Sequence, residues 1–225
     1  MALIVAHRGA SAAVPPGNTL EAFAEAVVEG ADWVELDVHL TADGHVVVHH
    51  DPVLADGRAL GELSAAELPA SIPTLTASLA RCHPLAVNVE IKPDGPDALR
   101  PLLIERVVEL LLSFGDDRQF LVTSFDHDIV DAVRALAPTL PTGLLTFDPA
   151  SCAAVLDRAV ADGHRAINPW FAIVDRSLVE HAHAAGVEVN VWTVDDPDQM
   201  RTMTDIGVDA IITNVPRLCR DVITR

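Results

Sequence analysis

Short runs rich in Val and Ile alternate along the chain with longer stretches whose apolar positions recur at helical spacing. The pattern predicts strands at Leu3–His7, Trp33–His39, Ala86–Lys92, Phe120–Phe125, Thr142–Phe147, Ala166–Trp170, Glu188–Val194 and Ala210–Thr213. It predicts helices over Thr19–Glu29, Leu75–Cys82, Asp97–Ser113, Asp128–Leu136, Pro149–Ala161, Arg176–Ala185 and Pro197–Asp205, with a last one from Pro216. One further extended piece, Val46–His50, follows a turn at Thr41–Gly44 and has no helix of its own. Regular strand–helix alternation implies a parallel sheet with helices outside it. Eight units in 225 residues favour a single-domain (β/α)8 TIM barrel, an α/β fold, spanning residues 1–225 with only a short insertion after the second strand. An open dinucleotide-binding sheet is disfavoured, because no Gly-x-Gly-x-x-Gly follows the first strand.

Composition narrows the partners. The formal net charge of −18 excludes a diffuse nucleic-acid surface, which needs clustered Lys and Arg. An anionic substrate would need a local positive charge to overcome that field, and a metal ion would supply it. Cys82, Cys152 and Cys219 are scattered and lack metal-ligand spacing, so they read as small buried hydrophobes. The apolar start ends at His7-Arg8, too soon for a signal peptide, and no apolar run reaches spanning length. The expectation is a cytoplasmic protein without a membrane segment.

In a barrel of this type the site forms where strands end. The first strand ends in His7-Arg8-Gly9, the second carries Glu35 and Asp37, and the third barrel strand carries Glu90 and Lys92. The extra extended piece ends in His49-His50-Asp51. Glu35 and Asp37 lie two apart, so they share one face of their strand, as do Glu90 and Lys92. Ionised carboxylates gathered in a barrel mouth are costly unless a cation joins them. Oxygen ligands of this kind point to Mg2+ or Ca2+ rather than zinc. Lys92 is the only lysine in the chain, a compact cation suited to a phosphate oxygen. His7 and His50 each close an extended segment beside these groups and are candidates for acid–base work; strand parity turns His49 the other way.

These residues resemble the glycerophosphodiester phosphodiesterases. The likeness runs through His7-Arg8-Gly9, Asn18-Thr19-Leu20-Glu21-Ala22-Phe23, Glu35-Leu36-Asp37-Val38 and His50-Asp51-Pro52. It continues through Glu90-Ile91-Lys92-Pro93, Val191-Trp192-Thr193-Val194 and Gly207–Asn214, and so spans nearly the whole chain. The resemblance implies a divalent metal at Glu35, Asp37 and Glu90, and acid–base roles for His7 and His50 without saying which is which. It implies phosphate contacts from Arg8 and Lys92, and a glycerol contact from Trp192. It implies hydrolysis of a small glycerophosphodiester to glycerol 3-phosphate and an alcohol, through attack by the substrate's own 2-hydroxyl and a cyclic phosphate.

Three departures from the family pattern matter. Gly17 stands where a Glu is usual, removing a carboxylate from the rim; the Asp51–Ile72 connection is short; and Asn214 stands where Asp is common. The short connection raises a lysophospholipase D as an alternative, which an exposed apolar rim beside the metal would favour. Gly17 raises a non-catalytic phosphoglycerol-binding protein as another.

Overall fold

The computed structural model describes residues 1–94, 96–115 and 118–224. Eight parallel strands close a barrel: β1 (Leu3–His7), β2 (Trp33–Leu40), β4 (Ala86–Ile91), β5 (Phe120–Ser124), β6 (Thr142–Thr146), β7 (Ala166–Pro169), β8 (Glu188–Val191) and β9 (Ala210–Thr213). Closure comes from β1 pairing with both β2 and β9. The extra strand β3 (Val46–Val48) hangs antiparallel on the outer end of β2. The barrel is the (β/α)8 fold that the alternation predicts, with the expected short insertion after β2.

Strand parity sorts the side chains. Outward-facing Val34, Leu36, Val87 and Val89 pack under α1 (Leu20–Val28), α2 (Leu75–Cys82) and α3 (Arg100–Leu112) in one large cluster. Val189, Val191 and Ile211 do the same in a second cluster beneath α5 (Cys152–Asp162), α6 (Arg176–Ala184), α7 (Pro197–Ile206) and α8 (Pro216–Ile223). Inward-facing Val5, Trp33, Leu121, Ala210 and Ile212 plug the floor of the barrel. The three cysteines are free and buried, as their spacing predicts.

Element ends shift where capping chemistry overrules periodicity. Thr19 caps α1 instead of joining it, its hydroxyl accepting from the Ala22 N–H at 3.1 Å. The helix predicted from Asp97 begins as a single 3-10 turn and becomes α3 only at Arg100, next to Pro101. β3 stops at Val48, so His50 lies on the loop beyond it. That loop, up to Ile72, holds two 3-10 turns and a small core of Leu54, Leu60 and Leu63. No helix among the described residues is long and apolar enough to cross a membrane.

Candidate active site

Register builds the site. His7 of β1 is level with Glu35 of β2, and Asp37 of β2 is level with Glu90 of β4. Neighbouring strands lie about 4.8 Å apart, so level residues on the inner face must meet. One carboxylate oxygen each from Glu35, Asp37 and Glu90 lies within 4.8 Å of the other two, and all three residues are buried.

Burial and repulsion act on the two glutamates. Burial, then the charges of Asp37 and Glu90, raises the Glu35 carboxyl well above the usual range. The Glu90 carboxyl is pushed up to about 7 by burial and then by the Asp37 charge. Two cations offset this in part. Lys92 Nζ donates to Glu90 Oε1 at 2.8 Å and lies 3.4 Å from Asp37 Oδ1. Arg8 Nε lies 3.3 Å from Asp37 Oδ2 but makes no aligned hydrogen bond, leaving a buried donor unspent.

The loop after β1 is held in an uncommon shape to place Arg8. Arg8 has φ 59° and Asn18 φ 54°, the left-handed region that side chains usually avoid. Compensation is local: the Arg8 N–H donates to Glu35 Oε2 at 2.9 Å, and the Arg8 carbonyl accepts from the Asn18 N–H at 2.9 Å. Asn18 Nδ2 in turn donates to Asp37 Oδ2 at 2.8 Å. Gly17 has φ +84°, and a Cβ there would meet Ser11 Cβ at 2.8 Å and Arg8 Cβ at 2.9 Å. Gly17 adopts this conformation without strain, and Arg8 keeps its place against Asp37 in a turn that carries no carboxylate at that position.

His7 is fixed by a chain of hydrogen bonds that starts one strand away. Asp195 Oδ2 accepts from Asn214 Nδ2 at 2.6 Å, and Asp195 Oδ1 accepts from the Asn214 N–H at 2.8 Å. This orients the Asn214 amide so that its Oδ1 faces His7 Nδ1 at 2.7 Å and accepts from Ser11 Oγ at 2.7 Å. An amide oxygen only accepts, so His7 carries its proton on Nδ1, and Nε2, 3.9 Å from Glu35 Oε2, keeps its lone pair. Burial, then the Arg8 charge, lowers the His7 pKa and favours this neutral form. Asp195 follows a strand in a run of acidic residues, and nothing in the sequence pattern distinguishes it.

His50 sits farther out. Its ring Nδ1 lies 2.7 Å from Asp51 Oδ1, and its carbonyl accepts from His39 Nε2 at 3.1 Å. Among the described residues no hydrogen bond or ion pair joins its ring to the three acids. His49 borders the Pro16–Thr19 turn instead. Trp192 lies across the mouth, its Nε1 donating to the Asn168 carbonyl at 2.7 Å and its ring edge-on to Phe125 at 5.5 Å. Phe125 also meets Phe147, which is 63 % exposed, an aromatic rim that the sequence reading left unremarked.

A second acidic group, Asp131, Asp162 and His164, also has metal-ligand spacing. Arg158 is paired with both aspartates, so this group is an ion-pair network closed by a guanidinium.

The comparisons agree with this geometry. Residues 7–218 match the model of the glycerophosphoryl diester phosphodiesterase family. The chain is 34 % identical to a glycerophosphodiester phosphodiesterase of Caldanaerobacter subterraneus, over 95 % of this chain and 94 % of the relative. It is 33 % identical to a probable glycerophosphodiester phosphodiesterase 2 of Mycobacterium tuberculosis, over 98 % and 90 %. Among solved structures it resembles an Oleispira antarctica phosphodiesterase in complex with the product sn-glycerol-3-phosphate, with TM-score 0.91 and 25 % identity over 99 % of this chain and 97 % of that one. The chain belongs to the glycerophosphoryl diester phosphodiesterase family and is a phosphoric diester hydrolase of that kind.

Proposed function

We propose that this enzyme hydrolyses a small glycerophosphodiester to glycerol 3-phosphate and an alcohol, with a divalent cation at Glu35, Asp37 and Glu90 and with His7 and His50 as base and acid. One observation carries the proposal: three buried carboxylates on two neighbouring strands present oxygens within 4.8 Å of one another.

The donor set fits a hard cation. Three carboxylates against Lys92 and Arg8 leave one negative charge, and a singly charged phosphodiester would add another. A divalent cation brings the site to neutrality. Oxygen-only ligands favour Mg2+ or Ca2+. When bound, the cation would neutralise charge on the nonbridging phosphate oxygens. Arg8, with its unspent Nε, and Lys92 lie beside the acids and would reach the same oxygens.

The tautomer supports His7 as the base. His7 Nε2, with its lone pair free, takes the proton of the substrate's glycerol 2-hydroxyl, whose oxygen attacks phosphorus. His50 gives a proton to the departing alkoxide, and a cyclic phosphate results. Water then enters by the reverse route: His50 takes its proton, and His7 returns one to the glycerol oxygen. Trp192 would pack against the glycerol carbons.

The exposed aromatic rim favours one second reading, a lysophospholipase D whose acyl chain lies over Phe125 and Phe147. A non-catalytic binder loses its motive, since Gly17 serves the turn. We read the whole chain, 1–225, as this one catalytic domain, and its free buried cysteines as consistent with the cytoplasm. Purified protein with Mg2+ or Ca2+ should release glycerol 3-phosphate from glycerophosphodiesters far above the Glu35→Ala background. Equal release by both proteins would refute the proposal.

A further inference from the structure

The barrel order separates the two ends of the substrate. Trp192, Asn214 and His7 follow β8, β9 and β1 around one arc of the mouth. His50 and Lys92 belong to the adjoining arc on the other side of β1, with β3, β2 and β4. If the base and the glycerol face the first arc, the leaving alcohol points to the second.

That arc contains a cavity of about 300 Å³. Val53 and Leu60 of the insertion form one wall, Leu99 and Leu103 form the other, and His39 and Lys92 lie at its inner end. His39 is the residue that holds the His50 carbonyl, and Lys92 is the residue that holds Glu90, so the cavity begins where the reacting groups end. The walls close on each other at Gly61, where a Cβ would meet Pro96 Cδ at 3.0 Å. The size falls at the small end of the range for ligand pockets, about 300–1,000 Å³. The aromatic ring on its lining is the imidazole of His39, too little for a cage. The two carboxylates beside it, Glu62 and Asp94, are exposed to solvent and screened by it, so the cavity is poorly suited to a quaternary ammonium. Arg100 at its edge is already paired with Asp97 and Asp126.

We infer that this cavity is the leaving-group subsite and that it takes an uncharged aliphatic alcohol in preference to choline. The inference rests on the hydrolytic reading above and adds the chemistry of the alcohol.

The test is a series of sn-glycerol-3-phospho-alkanols from methanol to octanol, run with glycerophosphocholine and its uncharged isostere, the 3,3-dimethylbutanol ester. The kcat/KM should rise roughly threefold to fourfold per methylene until the cavity fills, since each buried methylene contributes about 0.8 kcal/mol. The dimethylbutyl ester should be cleaved faster than the choline ester. Val53 is 41 % exposed at the cavity edge, so Val53→Trp should flatten the chain-length slope without disturbing the core. Val53→Asp should reverse the preference towards choline. A flat slope in the unaltered enzyme, or a choline ester cleaved faster than its isostere, would overturn the inference while leaving the hydrolytic reading intact. Failure to cleave any ester would overturn both.

Discussion

Sorted by charge rather than by the ends of the substrate, the barrel mouth divides into a charged arc and an aromatic arc that use the same backbone for opposite purposes. On β1, β2 and β4 the inward positions near the strand ends are His7, Glu35, Asp37, Glu90 and Lys92, nearly all buried and all charged or titratable. Past β5, β6 and β8 they give way to Phe125, Phe147 and Trp192, with Phe125 edge-on to each of the other two. One arc concentrates like charge that a cation would relieve; in the other, aromatic rings take the corresponding positions. On the proposal above, the metal-binding acids and the base come from three adjacent strands, the acid comes from the loop beyond β3, and the far wall would shape the substrate.

The comparison breaks most severely if the charged arc is dispensable. Glu35→Gln keeps the shape and removes one anion, so activity should fall about 10³-fold or more, with the circular dichroism spectrum unchanged. His7→Ala should lower kcat by about 10²–10⁴-fold with little change in KM. Asn214→Leu frees the His7 ring to hold its proton on the wrong nitrogen. It should cost on the order of 10²-fold in kcat, and nitrogen-15 spectra should show the tautomer mixture. The aromatic arc should respond more mildly. Trp192→Ala should raise KM about threefold to tenfold and spare kcat, because an aromatic contact contributes about 0.5–1.5 kcal/mol.

Stability sharpens the same contrast. In chelator the Glu90 carboxyl, at about 7 folded against an ordinary 4.5, binds more protons in the folded state. Its contribution is therefore complete below about pH 4.5 and is lost as pH rises through about 7, so the melting temperature should decline over that window. Glu35, raised in the same direction, extends the decline upward. A divalent cation at a hundred times its Kd should add about 2.7 kcal/mol, roughly 5–10 °C in a chain of this size, and should flatten the decline.

The sequence made the charged arc readable because a barrel strand has period two. Glu35 with Asp37, and Glu90 with Lys92, announce one face at a strand end, and their meeting needs only parallel register. The eight strands were readable as short Val- and Ile-rich runs between stretches of helical spacing. Helix starts were less so, because the Thr19 cap and the 3-10 turn before α3 depend on backbone geometry that periodicity does not carry. Asp195 was invisible because it acts through Asn214 across a strand boundary, and only the fold brings the two together. Gly17 was legible as a missing carboxylate, but its φ of +84° against Arg8 and Ser11 was not, because only the folded turn brings those residues beside it.

Anomalous diffraction from crystals grown with Mn2+ tests the central claim most directly. The account predicts one strong peak in the barrel mouth within about 2.0–2.6 Å of an oxygen from each of Glu35, Asp37 and Glu90. A mouth without a peak, in crystals whose dissolved protein still cleaves glycerophosphodiesters in chelator, would contradict it.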